Sequence, residues 1–131
     1  MPATAPLPRP DLAAYEHAVR LDPPIVVKEL RDLLGPKLVA YIVGVSETRA
    51  VHEWAEGPRE PRGPVMECLR FVLRVARFIA DHDSPGVAQA WFQGLNPQLD
   101  DRSPARLLRE GDLAEVGPLI LAAARAFVVG G

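Results

Sequence analysis

The chain has 131 residues, of which 48% are hydrophobic and 24% charged, with a formal net charge of −2. That length holds one ordinary domain or two very small ones, and it suffices to bury a real core. The charge balance excludes a nonspecific nucleic-acid coat, which needs an excess of cations, and neither half of the chain is a basic module or an acidic tail.

Pro2, Pro6, Pro8 and Pro10 predict a flexible, extended arm over residues 1–10. This stretch has no apolar core of signal-peptide length, and no run reads as long enough to span a bilayer, so a cytoplasmic location is expected. From Asp11 onward the pattern is helical throughout. Sustained strand alternation is missing, and Pro and Gly fall where helices should stop. Asp11 caps a first helix to about Leu21, and Pro23-Pro24 breaks it. A second helix starts at Pro24 with Val26, Val27, Leu30, Leu33 and Leu34 on its apolar face. Gly35-Pro36 separates it from a third, Lys37 to Val43. Gly44 then allows a tight turn, and Ser46 is the expected N-cap of a fourth helix to about Glu56.

Gly57 to Pro64, rich in Pro, Gly and charge, reads as a linker. Val65 to His82 follows as the longest periodic segment, with Met66, Leu69, Val72, Leu73, Ala76, Ile79 and Ala80 on one face. Arg70, Arg74 and Arg77 form a stripe opposite, read as a solvated face. Ser84-Pro85 and Ser103-Pro104 are paired N-cap and first-position signals, and Asp112 with Glu115 fits a capping box for the last helix, to about Val129. Between them, Trp91-Phe92 closes a helix and Gly94 to Arg102 is a loop. Asn96 caps its turn through the side chain. The expected organisation is an arm at 1–10, a helix-turn-helix-like subdomain at 11–57, a linker at 58–64 and a helical bundle at 65–131.

Candidate chemistry is sparse. His17, His52 and His82 are scattered, and no pair has zinc-ligand spacing. The sole cysteine, Cys68, has no partner for an internal disulfide and reads as core packing. Asp81-His82-Asp83 reads as a polar helix end. Asp100-Asp101-Arg102 lies in a short hydrophilic loop with nothing to separate two carboxylate pKa values, so no catalytic residue, metal or cofactor is expected.

The stretch Leu38 to Pro61 has the layout of a helix-turn-helix. Ala40 allows close packing, Gly44 the turn, and Val51 and Trp54 face inward. As a DNA reader its second helix would present Thr48, Arg49 and His52, and Glu47, Glu53 and Glu56 on the same helix oppose that use.

Two motifs carry a resemblance. Gly44, Val45, Ser46, Trp54 and Gly57 form a GVS…W..G pattern, followed after a long helix by Trp91, Asn96, Leu99, Ser103, Pro104, Leu107, Leu108 and Gly111. Together these resemble the Xre/MbcA/ParS-like antitoxins, over about residue 25 to the end. The resemblance implies an all-helical, non-enzymatic fold with a C-terminal toxin-binding domain at 65–131. It also implies a RES-domain toxin partner that acts on NAD, a homodimer or a hetero-oligomer with the toxin, and repression of its own operon. By the same analogy the toxin-contact surface includes Asn96, Pro97, Arg102, Arg106, Arg109, Arg125 and Phe127; a cleft that accepts the phosphates of NAD favours Arg102, Arg106 or Arg109 as anchors. Two positions depart from the family pattern. Val51 stands five after Ser46 where four is usual, and Asp101 stands where glycine is usual. Two other readings remain: a DNA-binding regulator without a toxin, and a dimerisation domain pairing through residues 65–83.

Overall fold

The computed structural model describes residues 10–130, so residues 1–9 of the expected arm lie outside it. The described chain is all helical: α1 (Pro10–Arg20), α2 (Pro23–Leu34), α3 (Pro36–Val43), α4 (Thr48–Glu56), α5 (Gly63–His82), α6 (Pro85–Gln93), a single 3-10 turn at Pro97–Leu99, α7 (Pro104–Glu110) and α8 (Leu113–Gly130). Proline stands in the first turn of α2, α3, α5, α6 and α7, where its missing N–H costs nothing.

The spine is α5. Leu69, Val72, Leu73, Val75, Ala76, Phe78 and Ile79 are buried on it, and α1, α2, α6 and α8 all pack against it. The apolar face of α5 is thereby covered within the chain. The five apolar residues expected on α2 are its buried set. One apolar cluster runs from Val26 and Leu30 through Leu73 and Ile79 to Phe92 and Ile120. Gly63 and Pro64 of the expected linker are the start of α5, and helices on either side of the non-helical residues 57–62 also meet directly, α2 with α6 and α3 with α7. The non-helical stretch therefore interrupts the helices and not the core.

The arginine stripe is not a solvated face. Arg70 donates to the carbonyls of Ala18 (2.8 Å) and Leu21 (2.7 Å), at the end of α1. Such a cation meets both the orphan carbonyls and the negative end of the helix dipole. Arg74 lies over the Tyr15 ring at 4.9 Å. Arg77 pairs with Glu29 (3.4 Å) and Asp81 (3.3 Å), and His17 Nε2 reaches both oxygens of the same Glu29. Among the described side chains of α1, Ala14 and Ala18 are the buried ones. Polar clamps from α2 and α5 thus supply much of what holds it.

A second correction concerns α8. This helix has 18 residues with mean hydropathy 1.7, so it is long and apolar enough to cross a membrane by length and composition. Its inner face, Val116, Gly117, Ile120, Ala123 and Ala124, is buried in the protein.

Candidate interaction surfaces

The loop from Gly94 to Ser103 is built by backbone hydrogen bonds around Asn96. Asn96 Oδ1 accepts from Gln98 N at 2.9 Å. Its carbonyl accepts from Leu99 N and Asp101 N, and its own N–H donates to Arg102 O at 3.2 Å. Asp100 and Asp101 sit at φ 55° and 58°, the left-handed region. Aspartate tolerates that region better than most side chains, which is how Asp101 stands in for glycine. Asp100 is 93% exposed and 3.8 Å from Arg102. Ser103 Oγ then accepts from Arg106 N, as Ser84 Oγ accepts from Val87 N in α6. These residues are the scaffold of a rigid turn.

That turn forms one wall of a groove, and the last two turns of α8 form the other. The groove holds about 460 Å³ and is lined by Trp91, Leu95, Asn96, Pro97, Ala126 and Phe127 among others. Among the described residues no ionisable side chain lines it. Leu95 is 76% exposed, Phe127 37% and the adjacent Val129 88%. Phe127 leans on Trp91 with ring centroids 6.4 Å apart. Leu95 and Val129 had no signal in the sequence beyond being apolar. Their exposure follows from the loop's shape and from the end of α8 running past its neighbours.

The expected contact residues do not form one patch. Asn96, Pro97 and Phe127 share the groove. Arg102 and Arg106 line a separate cleft with Glu110 and Glu115. Within it Arg106 Nε meets Glu110 at 2.7 Å, and that bond raises the Arg106 pKa further. Arg109 turns the other way, donating to Tyr41 O at 2.7 Å and lying over the Tyr41 ring at 4.7 Å. Arg125 reaches α1, pairing with Asp11 at 2.7 Å.

The helix-turn-helix-like segment packs as its spacing predicts. Gly44 is left-handed at φ 82°, and its N–H donates to Ala40 O. Ala40, Val51 and Trp54 are buried. Ser46 is not the cap, however. The N-cap is Glu47, in extended conformation and without a side-chain cap bond. Counted from Glu47, Val51 is four residues on, so the apparent insertion belongs to the turn. On the outer face, Arg49 is 82% exposed with its Nε on Glu53 (2.8 Å), which Arg59 also holds. Those two arginines keep the Glu53 carboxyl below its usual value, Arg59 contributing most. His52 Nδ1 meets Arg31 Nη1 at 3.1 Å, and the same Nη1 bonds Glu56. Thr48, Arg49 and His52 thus border an open groove with Glu47, Glu53 and Glu56.

Among the described residues no three ligating side chains gather around a common point. Cys68 is partly buried against the core, and burial pushes its thiol up to about 11. His82 Nδ1 is bonded to Phe78 O at 2.9 Å, within α5.

What remains is an all-helical protein whose distinctive features are a shaped loop and an uncovered apolar helix end. The fold is similar to that of a chain in the crystal structure of the M. tuberculosis MbcT-MbcA toxin–antitoxin complex. The TM-score is 0.60 at 28% identity, covering 79% of this chain and 94% of that one. This likeness agrees with the family resemblance carried by the sequence motifs. No family model and no curated protein matches the sequence.

Proposed function

We propose that this chain is the antitoxin of a toxin–antitoxin pair, a non-enzymatic protein that neutralises its cognate toxin by binding it. The observation that carries this reading is the 28% identity and shared fold with a chain of a toxin–antitoxin complex. The matching motif residues support it, since Asn96, Leu99, Ser103, Leu107 and Leu108 shape or bury the loop and α7. The partner is a RES-domain toxin that degrades NAD, and the antitoxin covers its substrate cleft. The docking surface is the loop and the end of α8, with Asn96, Pro97, Leu95 and Phe127 as its centre and Arg102 and Arg106 at its edge. An apolar centre with a charged rim is the usual anatomy of a tight protein interface. Association with the toxin in a hetero-oligomer, a cytoplasmic location and repression of the operon belong to the same reading.

Co-expression with a RES-domain toxin tests it. The expected result is co-purification and recovery of growth, with neutralisation lost on Leu95→Asp plus Phe127→Asp while the protein stays folded. A toxin that neither co-purifies nor is neutralised overturns the reading. Full neutralisation by the folded double variant overturns the surface.

A further inference from the structure

The cleft that receives Arg109 has a composition unlike the rest of the surface. It lies between α3, the turn after it and α7, and holds about 430 Å³. Lys37, Tyr41, Ser46, Thr48 and Arg109 contribute two cations and three hydroxyls, and no carboxylate among the described residues lines it. Yet acids outnumber bases in this chain, 17 to 15. We infer that this cleft is a phosphate-binding site assembled by the two halves of the chain.

Arg109 is held in place before any ligand arrives. Its Nη1 is fixed on Tyr41 O at 2.7 Å and its guanidinium on the Tyr41 ring at 4.7 Å. Nothing among the described residues accepts from its Nε or Nη2. Lys37 is exposed and makes no ion pair or hydrogen bond within the described residues. The Ser46 hydroxyl, freed from the capping role, lines the cleft together with Thr48. The first turn of α4 borders it, and Glu47 at the N-cap makes no side-chain bond to that turn. Glu47 lines the neighbouring groove, which shares Thr48 with this cleft.

The donor count selects the ligand. An ammonium, the free edge of a guanidinium and the hydroxyls offer more donors than the two oxygens of a carboxylate can accept. The three or four oxygens of a phosphate match them, and a bordering helix N-terminus favours the same charge. The phosphate has two sources, a free phosphate group or the phosphodiester of duplex DNA.

An amide NMR titration of the full chain with inorganic phosphate, against chloride at equal ionic strength, tests the site. Saturable shifts are expected over Ser46 to Ala50. Lys37→Gln should weaken the affinity by roughly tenfold, with Lys37→Arg restoring most of it. Because Lys37 is exposed and unpaired, thermal stability should not change. Shifts equalled by chloride, or affinity unaltered in Lys37→Gln, overturn the inference. A second titration with a short DNA duplex at low salt separates the sources. Shifts at the same amides, competed by phosphate and with a salt slope about one lower in Lys37→Gln, assign the phosphodiester. A duplex that leaves those amides unmoved assigns a free phosphate group. Since Lys37 and Ser46 lie outside the proposed toxin surface, neutralisation by Lys37→Gln should be intact, and either reading can fail alone.

Discussion

Gly111→Ala should destabilise the protein for a reason unlike that of a typical helix-ending glycine. Gly111 has φ −104° and ψ 176°, which any residue can adopt. What it lacks is room. A Cβ there would stand 2.7 Å from Val116 Cγ1 and 2.8 Å from Leu107 O. The second contact is the harder one, because Leu107 O already holds Gly111 N at 2.8 Å and is backbone. Relief requires the α7–α8 elbow to open. Overpacking of this kind costs about 1–3 kcal/mol, or a fall in Tm of roughly 3 °C or more at this chain length. Thermal and urea melts would read it. Gly63, where an added Cβ meets nothing within 4 Å, is the control. Gly44 gives the contrast, since its φ is 82° but its surroundings are open. Asparagine, which tolerates the left-handed region, should be mild at 44 and severe at 111. A Val116→Ala background should recover part of the loss, by removing the nearer contact. A Gly111→Ala protein as stable as the wild type, or one that Val116→Ala does not help, would refute the reasoning.

Three further outcomes are expected. Asp101→Gly should hold or raise stability by up to about 1 kcal/mol, and Asp101→Val should lower it by more, because φ is 58° there; chemical denaturation of the pair reads the difference. Arg70→Met removes both hydrogen bonds to the end of α1, so hydrogen exchange should accelerate in α1 well before α8; equal acceleration in both would contradict the clamp. The Cys68 thiol, raised by burial from 9.0 to about 11, stays protonated as an unfolded-state thiol ionises. Its contribution to stability is complete below pH 9.0 and declines as pH rises from 9.0 towards 11. At pH 8 the thiolate fractions differ by about 100-fold, so alkylation of the folded protein should be slower than that of the urea-unfolded chain by at least that factor.

The helices and their inner faces were readable because burial and period are local properties. The buried set of α2 is the one its spacing marks, and Ser84, Asn96 and Ser103 make the cap bonds their neighbours announce. The failures are long-range. Nothing near Arg70 in sequence says that a helix end some 50 residues earlier will dock on it. Nothing near Arg109 names Tyr41, 68 residues away, nor near Arg125 names Asp11, 114 away. Ser46 misled for a local reason. Two adjacent residues can end the same turn, and the backbone chose Glu47, whose inward neighbour Val51 then fits the core at 0% exposure.

Those long-range partners also change which residues can supply affinity on the proposed reading. Each of the four arginines expected at the toxin contact already has an acceptor inside the chain: Leu99 O and Asp100 for Arg102, Glu110 for Arg106, Tyr41 O for Arg109, Asp11 for Arg125. A toxin carboxylate would share a guanidinium that already holds an acceptor, and exposed ion pairs are worth about 0–1 kcal/mol even when newly made. Burying an exposed leucine contributes about 1.5–3 kcal/mol, and Leu95 is the most exposed large apolar residue in the loop, with Phe127 of α8 in the same groove. The rigid turn around Asn96 holds Leu95 outward at little further entropic cost, since its backbone is already fixed by five hydrogen bonds. Affinity should therefore follow the apolar groove, and the arginines should govern orientation and salt dependence.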